Sequence, residues 1–249
     1  DEPQLLARRL EGIPVLVGPR RDRTGRLACA QFGIDTLVLD DGFQHRRLAR
    51  DCDIVLVHAR MPLGGWALLP RGPMREPLSA LRRAQVVVLT KTDEALGTLA
   101  AVQERIQALA PDAALVSTIH EPTGLVDTAT EQPRDPRVLD GMRVGLVSSI
   151  GDPTGFEETL QRLHATVVWH RIFPDHHPYR ASDWAAVGAC AREQAPAAVI
   201  TTEKDWVRLR PWFSIHGPWA VPVWVLGIQM KLVGGEEALD DRLARLDVR

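Results

Sequence analysis

The sequence predicts an α/β protein with a largely parallel sheet flanked by helices, followed by a second, smaller α/β domain. Short apolar runs alternate with amphipathic stretches along the chain, the pattern left by strands linked through helical crossovers. Helix-starting residues sit between the runs, at Thr92-Asp93, Asp152-Pro153-Thr154 and Ser182-Asp183. The rhythm breaks over 121–141, where Pro122, Gly124, Pro133, Pro136 and Gly141 crowd together. That stretch reads as an interdomain connection or an irregular pair of strands, and it divides the chain into expected domains at 1–139 and 140–249.

Taken in order, helix is expected at 4–10, a strand at 15–17, and helix over part of 20–32. Strands at 36–39 and 54–57 precede a helix at 77–83, a strand at 86–89, a helix at 94–109 and a strand at 114–117. Beyond the break, strands at 143–148, 165–169, 198–201 and 223–226 alternate with helices at 155–163 and 182–194, and 236–246 closes the chain as helix.

Composition narrows the function. The 249 residues carry 30 Lys+Arg against 32 Asp+Glu, a net charge of −2, which argues against general nucleic-acid binding. Apolar residues at 45% and charged residues at 25% exclude a disordered chain. Cys29, Cys52 and Cys190 are odd in number and scattered, so no disulfide framework or zinc ribbon is expected and a reducing compartment is the default. No apolar run approaches the roughly 20 residues of a membrane span.

Five stretches carry chemistry. Thr36–Leu39 feeds Asp40-Asp41-Gly42-Phe43-Gln44-His45, an apolar strand ending in carboxylates as in the Walker B arrangement, where Asp holds Mg²⁺. Mg²⁺ needs only one or two protein carboxylates, so Asp40 and Asp41 are candidate metal ligands, Asp40 the more direct; a plain turn closing a strand is the competing reading. Phe173-Pro174-Asp175-His176-His177-Pro178-Tyr179 holds two histidines between prolines, suited to orienting a carboxylate, to proton shuttling or to metal ligation. Leu89-Thr90-Lys91-Thr92-Asp93 resembles a purine-recognition loop after a buried strand, with helix capping by Asp93 as the alternative. Arg71 and Arg75, set among turn residues, suit phosphate recognition. Lys204 follows the strand at 198–201 at an expected crevice edge. Trp206, Trp212, Trp219 and Trp224 crowd the C-terminal part, as packing or as a lipid-facing surface.

Together, and in this order, these stretches resemble the tetraacyldisaccharide 4′-kinases (lipid A 4′-kinases). The shared run begins at Asp1-Glu2-Pro3 and continues through Asp40–His45, Leu69-Pro70, Gly72–Pro77, Leu89–Lys91, Ile150–Pro153, Phe173–Tyr179 and Thr202–Asp205. The resemblance implies a P-loop NTPase-like core over 1–139, and a kinase that moves the γ-phosphate of ATP, with Mg²⁺, to the 4′-hydroxyl of a lipid disaccharide. It implies Asp1 and His176 as catalytic base and partner, Asp41 beside them in the catalytic set, and Asp40 and Asp41 on Mg²⁺. Arg71, Arg75, Lys91 and Lys204 are expected to meet phosphate or nucleotide. The same resemblance implies a monomer working peripherally on the cytoplasmic face of the bacterial inner membrane. Two departures stand out: no Gly-x-x-x-x-Gly-Lys-Ser/Thr loop occurs, and Gly64-Gly65-Trp66 replaces the family's usual Gly-Asn-Gly run. The chain is therefore expected to be a kinase lacking its phosphate loop and N-terminal membrane segment, with little activity alone. The rival classes are a metal-dependent phosphoesterase of the Asp-His-His type and a SIMIBI-type GTPase or metallochaperone; a non-catalytic binding fragment is the third alternative.

Overall fold

The structure, a computed structural model, describes residues 2–60, 67–72, 74–95 and 97–246. The elements begin with α1 (Glu2–Arg9), α2 (Arg21–Phe32), β1 (Ile54–His58), β2 (Val86–Thr90), α3 (Leu99–Leu109) and β3 (Ala114–Asp127). They continue with β4 (Pro133–Arg134), β5 (Arg143–Ser148), α4 (Pro153–Arg162), β6 (Thr166–Ile172) and α5 (Ala181–Gln194). β7 (Ala198–Thr202), α6 (Glu203–His216), β8 (Val223–Gly234) and α7 (Glu236–Ala244) complete the chain. Two compact units result. The first contains residues up to Val17 and Pro122–Gln229, the second Gly18–Glu121 and Met230–Arg249. The chain passes between them three times, twice within the long strands β3 and β8. The expected division at 139/140 falls inside the first unit.

In the first unit β5 lies between β6 and β7, parallel to both, and β7 pairs parallel with β8. The sheet is covered on both faces, so its strands are apolar on both faces. Val144, Leu146, Ala198 and Ile200 pack with Phe156 and Leu160 of α4. The alternate residues Val147 and Val199 pack with Trp184 and Val187 of α5, Leu209 of α6 and Trp219. Three of the four late tryptophans thus join this aromatic layer, and Trp224 packs on the opposite face. Gly145 is required by packing: a Cβ there would lie 2.2 Å from the Trp169 ring. The irregular stretch resolves into the end of β3 pairing antiparallel with β4, then a 3₁₀ turn at Pro136–Leu139.

In the second unit β2 pairs parallel with β1 and β3. Val87 and Leu89 face Val102 and Ile106 of α3, while Val86 and Val88 meet Val116 and Leu239 of α7. The 3₁₀ helix Leu78–Arg83 precedes β2 and contributes Leu81 to the first of these layers.

Several expectations are corrected. Residues 15–17 and 36–39 form no strand; Val38 is 94% exposed. A strand persists only where its backbone groups join a ladder, and among the described residues nothing pairs with either segment. Asp40 and Asp41 therefore follow an irregular segment rather than end a central strand. The helix expected over 94–109 begins only at Leu99, because Thr92–Glu94 winds as 3₁₀ and Lys91 takes a left-handed backbone at φ 55°. The segment at 77–83 is 3₁₀ rather than α. Helix α6 was not expected: Pro211 inside it masks a start that Thr202, accepting the Asp205 N–H, supplies.

Replacing Gly145 by Ala should cost about 1–3 kcal/mol through overpacking against Trp169. Urea unfolding should show a lower midpoint at unchanged slope. Gly97→Ala, where a Cβ meets nothing within 4 Å, should shift the midpoint little.

Candidate functional site

In the first unit charged loops come together at the C-terminal ends of parallel strands, the usual place for ligands in such sheets; in the second, two charged motif stretches meet beside the 3₁₀ helix that leads into β2.

In the first unit the centre is a buried carboxylate. Asp205, in the first turn of α6, is fully enclosed. Its Oδ1 accepts the Ser149 N–H at 3.0 Å, the Ser149 hydroxyl at 2.6 Å, the Tyr179 hydroxyl at 3.0 Å and Arg208 Nη2 at 3.0 Å. Its Oδ2 accepts the Thr202 hydroxyl at 2.7 Å. A buried carboxylate is costly unless so paired. Burial, reinforced by the adjacent Asp205 charge, pushes the Tyr179 phenol well above its ordinary value, so it stays a neutral donor.

The loop from Phe173 to Tyr179 separates the two histidines by role. His177 stacks on Phe173 with centroids 4.8 Å apart and its Nε2 lies 2.9 Å from Asp183 Oδ2. Asp183 also accepts the Arg180 N–H at 2.8 Å, capping α5. Burial opposes ionisation of Asp183, but these two hydrogen bonds prevail and its carboxyl sits below the ordinary range. His176, by contrast, is exposed, with φ 58°, and shares its backbone N–H between Asp175 Oδ1 at 3.0 Å and the Ser149 carbonyl at 3.3 Å. Lys204 Nζ lies 3.4 Å from His176 Nε2, 3.8 Å from Asp175 and 2.8 Å from Glu2. The Lys204 hydrogen bond holds the Glu2 carboxyl below its ordinary range against a burial effect in the other direction. A second pair, Arg9 with Glu203, joins α1 to α6. Asp1 lies outside the described residues.

In the second unit two motif stretches lie against each other. Arg75 Nη1 donates to both carboxylate oxygens of Asp41, at 2.6 and 2.8 Å. Gln44 Nε2 donates to Glu76 at 3.3 Å, Glu76 pairs with Arg83 at 2.8 Å, and Arg83 lies 4.2 Å over the Phe43 ring. Hydrogen bonding to Arg83 holds the Glu76 carboxyl below its ordinary range, and the Asp41 hydrogen bond raises Arg75. Asp41 adopts φ 50°, and a Cβ on Gly42 would lie 2.9 Å from the Leu39 side chain, so the turn needs glycine. Asp40, Asp41, Gln44, Arg75 and Glu76 border a cavity of about 1170 Å³.

Asp40 and Asp41 offer hard oxygen donors, enough for Mg²⁺ when phosphates and waters complete its shell. Asp40 is exposed, whereas Asp41 must first exchange Arg75 for the ion. Among the described residues, no third His, Cys, Asp or Glu groups with them. The donor set fits Mg²⁺ delivered with a phosphate ligand.

Lys91 is buried at the end of β2, its Nζ 3.8 Å from Glu94, which also pairs with Arg60 at 3.1 Å. Burial, aided by Lys91, lowers the pKa of nearby His120. Arg71 is exposed on the turn after the Leu69–Pro70 peptide. The sequence reading missed Asp205, Ser149 and Arg208. Asp205 ends the Thr202–Asp205 stretch, but its burial depends on Tyr179 and Ser149, which are distant in sequence.

The parallel strands and helical crossovers define an α/β protein with charged loops gathered in each unit. The family description tetraacyldisaccharide-1-P 4′-kinase matches residues 1–246, and the chain belongs to that family. A tetraacyldisaccharide 4′-kinase of Anaeromyxobacter dehalogenans (strain 2CP-C) is 45% identical over 98% of this chain and 64% of its own length. One from Syntrophus aciditrophicus is 41% identical over 93% of this chain and 63% of its own. The chain thus spans somewhat less than two thirds of these relatives. A crystal structure described as the "apo" form of LpxK from Aquifex aeolicus in complex with ATP is similar at TM-score 0.65 and 26% identity, covering 98% of this chain and 68% of that one.

The paired Asp183 contributes stability that is full above the ordinary carboxylate pKa of about 4 and is lost as pH falls through its lowered folded value. Between pH 5 and 3, thermal melts of wild type should therefore lose more stability than those of Asp183→Asn. The difference should be about 1–2 kcal/mol, with the two curves converging in acid.

Proposed function

We propose that this chain is the greater part of an ATP-dependent kinase that phosphorylates the 4′-hydroxyl of a tetraacyldisaccharide 1-phosphate in lipid A biosynthesis. The observation that carries the reading is the family match over residues 1–246, on a chain that offers an exposed histidine and an Asp-Asp-Gly turn beside Arg75. The relative crystallised with ATP supports the nucleotide. No helix among the described residues is long and apolar enough to cross a membrane. Peripheral action on the cytoplasmic face of the inner membrane, as a monomer, is part of the proposal. The rival phosphoesterase and GTPase readings find no support in the family match.

In this reading the acceptor hydroxyl loses its proton to Asp1, with His176 as the partner that orients the carboxylate and takes up charge. The hydroxyl oxygen forms a bond to the γ-phosphorus while the bond from that phosphorus to the β–γ bridging oxygen breaks, and ADP leaves. Asp40 and Asp41 would hold Mg²⁺, which when bound neutralises charge on the phosphates. Arg75, paired with Asp41, would offer its guanidinium to phosphate oxygens wherever Asp41 holds the cation instead. Arg71 and Lys204 serve the phosphates of nucleotide or lipid, Lys204 exchanging Glu2 for them, and Lys91 serves the nucleotide through the loop it anchors.

The test is transfer of label from γ-labelled ATP to the lipid disaccharide by the full-length protein. Wild type should label the acceptor at the 4′ position. Asp40→Ala should reduce kcat by at least 10²-fold, as expected where charge stabilisation supplies most of the catalysis. Hydrolysis of ATP with no labelled acceptor would overturn the reading.

Arg75→Ala in the same assay should raise the KM of at least one substrate by about tenfold, the scale of one lost charge-assisted hydrogen bond. Unchanged kinetic constants would remove Arg75 from the phosphate-binding set.

A further inference from the structure

We infer that Asp205 is a positioning residue for the reaction, fixing the loop that presents His176 without touching substrate. The inference rests on the kinase reading above, in which His176 takes part in proton removal.

The hydrogen bonds of Asp205 converge on that loop from both ends. At the N-terminal end, Ser149 follows β5, and its N–H and hydroxyl both donate to Asp205 Oδ1, at 3.0 and 2.6 Å. The carbonyl of Ser149 is thereby aimed at the loop, where it accepts the His176 N–H at 3.3 Å and Arg208 Nη2 at 3.3 Å. The preceding carbonyl, of Ser148, accepts the Phe173 N–H at 2.8 Å. At the C-terminal end the Tyr179 hydroxyl donates to the same Oδ1 at 3.0 Å. Between the ends, Arg208, held to Asp205 at 3.0 Å, reaches the His177 carbonyl at 3.4 Å through Nη1. One carboxylate therefore reaches the middle of the segment carrying His176 through Ser149 and Arg208, and its end through Tyr179.

The backbone of His176 supplies a reason for such restraint. Its φ of 58° lies in the left-handed region, which a non-glycine residue keeps only when its surroundings over-determine it. Asp175 Oδ1 also accepts the His176 N–H, at 3.0 Å, but that bond comes from the preceding residue of the same loop, so the Ser149 carbonyl is what ties the peptide to the strand end. Capping of α6 alone does not account for the arrangement. The cap needs only the Asp205 N–H, which donates to the Thr202 hydroxyl oxygen at 3.1 Å, whereas four of the donors to the side chain serve Ser149, Tyr179 and Arg208. The adjacent Lys204 points the other way, to the imidazole itself.

Asp205→Asn is the informative substitution. The amide is close to isosteric, its oxygen keeps accepting on the Ser149 side, and its NH₂ faces the Thr202 hydroxyl oxygen, which can accept. What it removes is the charge that orders Arg208 and the strongest of the hydrogen bonds. In the full-length protein, Asp205→Asn should lower kcat at least tenfold while the KM for ATP and for the lipid disaccharide changes by less than twofold. In a His176→Ala background the same substitution should cost less than twofold more, because residues acting as a unit are not additive. Tyr179→Phe, which deletes one hydroxyl and leaves the carboxylate, should lower kcat severalfold in the same pattern. Thermal melts of each variant separate lost positioning from lost folding. An Asp205→Asn protein with wild-type kcat, or with an undiminished penalty when His176 is already absent, would overturn the inference. So would a Tyr179→Phe protein of wild-type kcat, which serves if Asp205→Asn does not fold. Absence of transfer by wild type would instead overturn the kinase reading.

Discussion

The enclosed carboxylate of Asp205 is the constraint on which the first unit depends. A charge fully removed from water must collect donors, and those it collects come from three places in the chain: Ser149 after β5, Tyr179 beyond β6, and Thr202 with Arg208 around the start of α6. Satisfying one group thus sets the register of α6 against the sheet, fixes the turn after β5 and closes the loop from Phe173 to Tyr179. The division between the two histidines follows. His177 is drawn inward onto Phe173 and Asp183, which leaves His176 outward beside Lys204.

The second unit uses exposed pairing where the first uses a buried hub. Asp41 and Arg75 neutralise each other at the surface, with side chains 64% and 58% exposed. An exposed pair of this kind contributes little to stability and is easily exchanged for ligands of the same charges. Glu76, Arg83 and Phe43 are more enclosed and hold the two motif stretches together. Rigidity in the one set of contacts and exchangeability in the other are what the proposed phosphate-binding role of this site would ask for.

The parts legible in the sequence were those dictated locally. β2, β5 and β7 are buried on both faces, and their unbroken apolar runs announced them near their observed positions. The Asp152-Pro153 start of α4 was equally plain, since the Asp152 side chain accepts the Gly155 N–H as an N-cap should. Residues 36–39 have the same apolar character but no ladder partner, a fact that no local pattern contains. Helix α6 was hidden by Pro211, a residue that ordinarily ends a helix. In the candidate site, the motifs pointed to stretches that the fold brings together within each unit, but Asp175-His176-His177 reads identically whichever histidine turns inward. The choice is made by Asp183 and Phe173. The role of Asp205 was invisible for the same reason, its donors lying 26 and 56 residues away at Tyr179 and Ser149.

Amide hydrogen exchange reads whether one buried carboxylate holds the His176 loop in place. In the wild-type protein the amides of Ser149 and His176 should be protected, since they donate to the Asp205 carboxylate and the Ser149 carbonyl respectively. In Asp205→Asn, or in Asp205→Ala if it folds, both should exchange at least tenfold faster, while amides in the middle of β5 and β7 keep their protection. Unchanged protection at Ser149 and His176 in a folded variant would contradict the claim.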